Sequence, residues 1–270
     1  MNFNIQPINF NIANVRFKSN SNISQPKGSD LERNPKMDSF EMSIGYVNDA
    51  HGQTNNMMRI LSGIKGDLKL SAGDNDIGDE KNDAIHQATT KFLNIADIKA
   101  SALGNHEIDM SQKDCIDAIN RFNGLMLSIN FEQIPLEEQD PEDIQKYGRA
   151  DLKNHLTKSA VVEVKGEKIG LIGASPIDMM SRLTHPNYYT DCSVDDLDDT
   201  IELIQNEIDK FKEQNINKVI LVSHLGHKAD KFVAENIDGI DVIVGGHTHE
   251  LIKDIKEGEN LLYSKTGEPI

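Results

Sequence analysis

Two cysteines, Cys115 and Cys192, are all that this chain of 270 residues carries, and neither belongs to a Cys-x-x-Cys spacing. A disulfide framework and a zinc ribbon are therefore without support, and both thiols read as spare. Long apolar runs are missing as well. No segment reaches the ~20 residues that a helix needs to cross a bilayer, and the N-terminus lacks the basic start, continuous apolar stretch and small-residue cleavage site of a secretory signal. Positive charge is scarce: 28 Lys and Arg face 44 Asp and Glu, for a formal net charge of −16. A nucleic-acid scaffold or a binder of anionic membranes would need a basic face to displace counterions, and none is visible. The acidic clusters at 136–143 and 191–199 read as solvated loop and helix faces rather than a calcium site. There is no internal repeat.

What is present is an ordinary globular composition, 37% hydrophobic and 27% charged, in a chain long enough for one large domain. Residues 1–38, rich in Asn and Ser and broken by Pro7, Pro26, Gly28 and Pro35, show no sustained periodicity and read as a disordered leader or linker. From Ser43 short apolar runs alternate with amphipathic stretches, the pattern of an α/β domain. Strands are expected at Ile44–Val47, Leu68–Ala72, Ile98–Leu103, Leu125–Ile129, Val219–Val222 and Val242–Val244, and helices at Thr54–Ile64, Asp79–Leu93, Gln112–Phe122, Asp196–Gln214 and Lys228–Asn236. Val161–Val164 and Ile169–Ile172 flank a Gly-bearing turn, so an antiparallel hairpin enters an otherwise parallel pattern. The polar stretch up to Lys158 reads as a surface excursion. Ser264–Pro269 reads as a loop leading into more chain, so a domain cut short is expected.

Four polar blocks stand where apolar runs stop: Asp49-Ala50-His51, Gly73-Asp74-Asn75, Gly104-Asn105-His106-Glu107-Ile108-Asp109, and the late histidines of Ser223-His224 and Gly245-Gly246-His247-Thr248-His249. Each follows a candidate strand and supplies Asp, Asn or His, the residue types a divalent cation needs. Loops held by a buried sheet fix ligand geometry while leaving access open. Asp49 and His51 can converge on one cation from an extended turn. Asp74, after a glycine that permits close backbone approach, can bridge two metals through its two oxygens. Asn105 can give its carbonyl oxygen to a metal and its amide hydrogens to a substrate oxyanion. His106, oriented by Asp109, becomes a positioned acid; the bland alternative makes Asp109 or Ser111 a helix cap and His106 a surface residue. Mixed imidazole and oxygen ligands suit manganese, zinc, iron or cobalt better than calcium. His86, His155, His185 and His227 are taken as ordinary structural histidines.

In this ordered set the chain resembles the calcineurin-like metallophosphoesterases, and is similar to the catalytic domain of bacterial 5′-nucleotidase / 2′,3′-cyclic-nucleotide phosphodiesterase / UDP-sugar hydrolase proteins, from about Ser43 to the last residue. The resemblance implies a four-layer αββα sandwich with two mixed sheets. It also implies two divalent metal ions, one held by Asp49, His51 and His249, the other by Asn105, His224 and His247, with Asp74 bridging and His106 and Asp109 as the catalytic dyad. Hydrolysis of a small phosphate ester, most simply a nucleotide, by a hydroxide bridging the metals follows from it. Relatives carry a C-terminal domain that clamps the base between aromatic rings, so 43–270 reads as the catalytic domain alone, and relatives are often periplasmic or surface-attached. Two other readings stand beside this one: a metal-binding module without turnover, and a related hydrolase of sulfur-linked or pyrophosphate substrates.

Overall fold

The computed structural model describes residues 11–18, 39–53, 57, 63–76 and 83–250. Strands β1 (Asn11–Lys18), β2 (Ser39–Val47), β3 (Leu68–Ser71), β4 (Ala100–Ala102) and β5 (Leu125–Leu127) form one sheet in that order, with β2 to β5 parallel and β1 antiparallel to β2. Among the described residues, strand β6 (Phe131–Gln133) pairs only with β9 (Cys192–Val194), in a two-stranded ribbon. A second sheet is built from β7 (Ser159–Val164), β8 (Glu167–Ala174), β10 (Val219–Ser223) and β11 (Val242–Gly245), ordered β11-β10-β8-β7, and β7 is its antiparallel member. Both sheets are mixed.

Side-chain alternation along the strands, with its period of two, sorts the core into layers. Ile44, Tyr46, Leu70, Ala72 and Ala102 from the first sheet meet Ile169, Leu171, Ile220, Val222 and Val244 from the second. The opposite face of the second sheet, Ile172, Val219, Leu221 and Ile243, lies under α5 (Leu197–Glu213) and α6 (His227–Asn236). Helices α1 (Asp83–Ala96) and α2 (Gln112–Arg121) cover the outside of the first sheet, α1 through Leu93 and Ala96 against Val47 and Ile98. The result is a helix–sheet–sheet–helix sandwich of four layers. The sheets approach closely at Gly173, where a Cβ would lie 2.1 Å from Leu127 Cβ, and Ile129 N donates to Gly173 O at 2.8 Å.

Helix α5 shows why the long amphipathic pattern folds as expected. Asp196 accepts from Asp199 N at 3.0 Å as the N-cap, acidic residues fill the first turn and Lys210 and Lys212 the last, and Ile204, Ile208 and Phe211 form the buried stripe. The short helices α3 (Pro141–Tyr147) and α4 (Met179–Arg182) complete the set among the described residues. None of the described helices is long and apolar enough to cross a membrane.

Three expectations need correction. Asn11–Lys18, within the segment read as a leader, is a strand in register with β2 from Asn11↔Tyr46 to Lys18↔Ser39. The edge of β2 offers unpaired backbone groups that this segment satisfies, and the short alternation Val15-Arg16-Phe17-Lys18 is diluted by the surrounding asparagines. The stretch before Lys158 lies largely at the surface, as expected, but it is built of regular elements rather than being a plain excursion. It carries β6 and α3 and is fastened by Gln133, which donates to Asp191 Oδ2 and Ala150 O, each at 2.8 Å. Asp191 is accordingly buried, and also accepts from Gln112 Nε2 at 2.8 Å, instead of lying on a solvated face. The helix expected at Thr54–Ile64 falls outside the described residues except at 57, 63 and 64, as do residues 1–10, 19–38, 79–82 and 251–270.

Candidate active site

All the parallel strands finish on one side of the molecule, because their registers align the last residues: Val47 with Ser71, Ser71 with Ser101, and Ala174 with Ser223 and Gly245. The polar blocks leave from these ends, where the carboxyl edges of the two sheets meet, the usual place for a site in open α/β sheets. Their loops are laced together by the backbone: Asp49 N donates to Gly73 O (3.0 Å), His51 N to Asp74 O (2.9 Å) and Gly52 N to Asn75 O (2.8 Å).

The backbone at the site is strained. Asp49, His51, Asp74, His247 and His249 have φ values of 51°, 46°, 50°, 79° and 51°, a region where side-chain-bearing residues cost about 1–3 kcal/mol each. Gly104 is required for a different reason, since a Cβ there would stand 2.3 Å from Asp74 Oδ1.

Among the residues singled out in the sequence, Asp49, His51, Asp74, His106, His224, His247 and His249 are brought together here. Asp49, His51 and His249 offer ligand atoms within 4.8 Å of one another, as do Asp74, His224 and His247. His51 Nε2 and His249 Nε2 face each other at 3.0 Å, and His249 Nε2 lies 3.1 Å from Asp49 Oδ1. His224 Nε2 is 3.0 Å from Asp74 Oδ2 and 3.9 Å from Asp49 Oδ1. Asn105 Oδ1 is buried and has no hydrogen-bond partner. A buried oxygen without a donor, and imidazole nitrogens aimed at one another and at carboxylates, are what a cation-binding donor set looks like, so these residues fit divalent metal.

The electrostatics agree. Burial alone would raise the carboxyls of Asp49 and Asp74, but His249 and His224 beside Asp49, and His224 against Asp74, hold both below the usual carboxylate range. Burial pushes the other way on His224, and the carboxylate of Asp74 overrides it and raises the imidazole. Burial lowers His51 and His247, leaving their nitrogens free to donate to a cation.

Beside these clusters His106 Nδ1 donates to Asp109 Oδ2 at 2.5 Å, and Thr184 N donates to Asp109 Oδ1 at 3.0 Å. Burial opposes the charged ring, but the bond to Asp109 prevails and raises His106 above the ordinary histidine value. Ser111, not Asp109, caps α2, accepting from Asp114 N at 3.2 Å. Two of the remaining histidines have structural partners, as expected: His86 pairs with Asp76 at 3.1 Å, and His155 Nδ1 lies 3.1 Å from Asn120 Oδ1.

Glu107 is the residue that sequence reasoning missed. Its Oε2 accepts from Asp74 N (2.9 Å) and Gly104 N (2.8 Å), and its Oε1 from Asn75 N (2.6 Å) and Asn75 Nδ2 (3.1 Å), so one buried carboxylate clamps two of the ligand loops. Burial, with Asp74 nearby, pushes it up to about 7. Only its place between His106 and the apolar Ile108 hinted at burial; partners more than thirty residues away carry no local signal. Glu107→Ala orphans three buried backbone donors and is expected to destabilise the metal-free protein by about 3–5 kcal/mol in denaturant unfolding. A loss below about 1 kcal/mol would contradict the clamp.

The chain belongs to the calcineurin-like phosphoesterase family, whose model matches residues 42–251. A 5′-nucleotidase of Diplobatis ommata is 32% identical over 170 residues, covering 63% of this chain and 26% of that protein. An apyrase of Anopheles gambiae is 32% identical over 248 residues, covering 80% and 40%. The crystal structure of a 5′-nucleotidase precursor from Thermus thermophilus superposes with a TM-score of 0.62 at 25% identity, covering 80% of this chain and 43% of that one. The chain thus spans less than half the length of each. Members of this family use divalent metals, and among the described residues three overlapping groups could hold them: Asp49, His51 and His249; Asp74, His224 and His247; and His51, Asp74 and His106.

Proposed function

We propose that this chain is a phosphoester hydrolase acting on small phosphate esters, nucleotides foremost, with two divalent cations drawn from manganese, zinc, iron or cobalt. The observation that supports this most is the pairing of adjoining ligand clusters with a His106–Asp109 dyad at 2.5 Å, all where the carboxyl edges of the two sheets meet. Asp49, His51 and His249 would hold one cation and Asn105, His224 and His247 the other, with Asp74 shared. When bound, such cations supply Lewis acidity toward the phosphoryl oxygens and a lowered pKa for an attacking water.

The chain's own groups do the rest. Asp109, fixed by Thr184 N, accepts from His106 Nδ1, so His106 Nε2 carries the exchangeable proton. As water adds to phosphorus and the P–O bond to the leaving group breaks, that proton passes to the leaving oxygen, and Asp109 stabilises the ring while it is charged. His106 N donates to Asp74 Oδ1 at 2.9 Å, which ties the dyad to the shared ligand. Asn105 has amide hydrogens to offer a substrate oxygen while its Oδ1 serves the metal.

A substrate panel tests the reading: an activated phosphate monoester, an activated diester, AMP, a 2′,3′-cyclic nucleotide and ADP, each with the manganese-loaded protein. Turnover of the nucleotide esters is expected. Preference for ADP over every ester would move the substrate class to phosphoanhydrides, the chemistry of the apyrase relative's name. No turnover of any of them by protein carrying two metals would leave a binding module.

A further inference from the structure

We propose that Asp178, held in turn by Arg182, is the positioning residue for His247: it fixes which ring nitrogen faces the metal pocket and so sets the affinity of that half of the site. This rests on the reading of Asp74, His224 and His247 as a metal cluster.

Asp178 stands just past the end of β8, on a backbone that cannot drift. Three residues earlier, Ser175 is fully buried; its N donates to Asn130 Oδ1 and its Oγ to Leu103 O, each at 2.8 Å. On the other side Met179 is fully buried in the cluster around Leu103, Ile108 and Met110, and its N donates to Pro176 O at 3.0 Å. From this anchored position Asp178 Oδ1 reaches 3.2 Å from His247 Nε2, and Asp178 Oδ2 accepts from Arg182 Nε at 2.5 Å. His247 is tied at its other end, because its backbone N donates to Asp49 Oδ1 at 3.0 Å. Backbone and ring are therefore set against different carboxylates, and the ion-pair contact with Asp178 is what biases the rotation of the imidazole.

An imidazole that ligates a metal through one nitrogen needs the proton on the other, and an acceptor outside the cluster supplies that choice. Its neighbours show the same device. His224 lies with Nδ1 2.5 Å from Ala72 O and turns Nε2 to Asp74, and His106 gives Nδ1 to Asp109. With Nε2 of His247 on Asp178, Nδ1 is left for the pocket that it shares with Asp74 and His224. Arg182 and Asp178 are 53% and 39% exposed as side chains, so their pair contributes little to folding, and orientation of His247 is the effect left for it to have.

The test is metal uptake by the chelator-stripped full chain, dialysed against buffered manganese and read by elemental analysis, without any assay of turnover. The wild type takes up two ions. Asp178→Ala is expected to weaken one of the two by about 10–100-fold and leave the other unchanged. Asp178→Asn, which keeps an oxygen beside Nε2 but loses the charge, falls between them. Arg182→Ala gives a smaller loss that Arg182→Lys restores. Thermal midpoints of the stripped proteins stay at the wild-type value, which a structural role for Asp178 would not allow. Two sites of wild-type affinity in Asp178→Ala would overturn the proposal, as would equal weakening of both together with a lowered midpoint. A wild type that binds fewer than two ions would instead sink the metal-site reading on which the proposal stands.

Discussion

Replacing His106 by asparagine lowers kcat by about 10²–10⁴-fold, the range a positioned general acid supplies, while the metal content stays at the wild-type level. The asymmetry follows from what His106 touches. Its ring is bonded to Asp109, and its backbone N, which any residue keeps, donates to Asp74 Oδ1. Asparagine preserves that backbone bond and removes only the proton-carrying nitrogen. KM for a phosphate ester should move little, because the lost interaction acts on the leaving oxygen in the transition state. Activity assays and elemental analysis on the same preparation check both halves. Loss of metal alongside loss of turnover would place His106 among the ligands, a role that its grouping with His51 and Asp74 within 4.8 Å would then fill.

Asp74→Asn has the opposite profile: metal is lost first, and turnover falls with it by at least about 10³-fold, as for removal of the group that neutralises the site's charge. Asp74 is 2% exposed, sits 3.0 Å from His224 Nε2 and accepts from His106 N, so it touches the ligand set and the dyad at once. The amide keeps an acceptor for His106 N, and Glu107 still holds the backbone N of position 74. Loop shape is thus retained, and what disappears is the negative charge and one of the two equivalent oxygens. Elemental analysis of the variant should find fewer than two ions per chain. Full loading with normal affinity would remove Asp74 from its shared position between the clusters.

How much of this was legible in the sequence depends on the range of the contacts involved. The site residues were readable because each sits directly after its own strand, so local pattern alone put Asp49, Asp74, Asn105, His224 and His247 at the ends of parallel strands, which the structure divides between two mixed sheets. The β7–β8 hairpin was readable for the same reason, its turn lying between two apolar runs. Glu107 was not, because its meaning is three backbone donors, two of them from residues 32 and 33 positions away. Asp178 was hidden likewise: its partner His247 comes from a different strand end. The excursion before Lys158 misled because Gln112, Gln133 and Asp191 are polar and yet satisfy one another under the surface. Strand β1 was missed because half its evidence lies in the unpaired edge of β2.

The most direct test is to strip the protein with chelator and follow turnover of an activated phosphate ester as manganese is returned in measured equivalents. No activity without metal, with a rise that completes at two equivalents per chain, is the expected result. Turnover that survives stripping, or none once two ions are bound, would contradict a two-metal phosphoesterase.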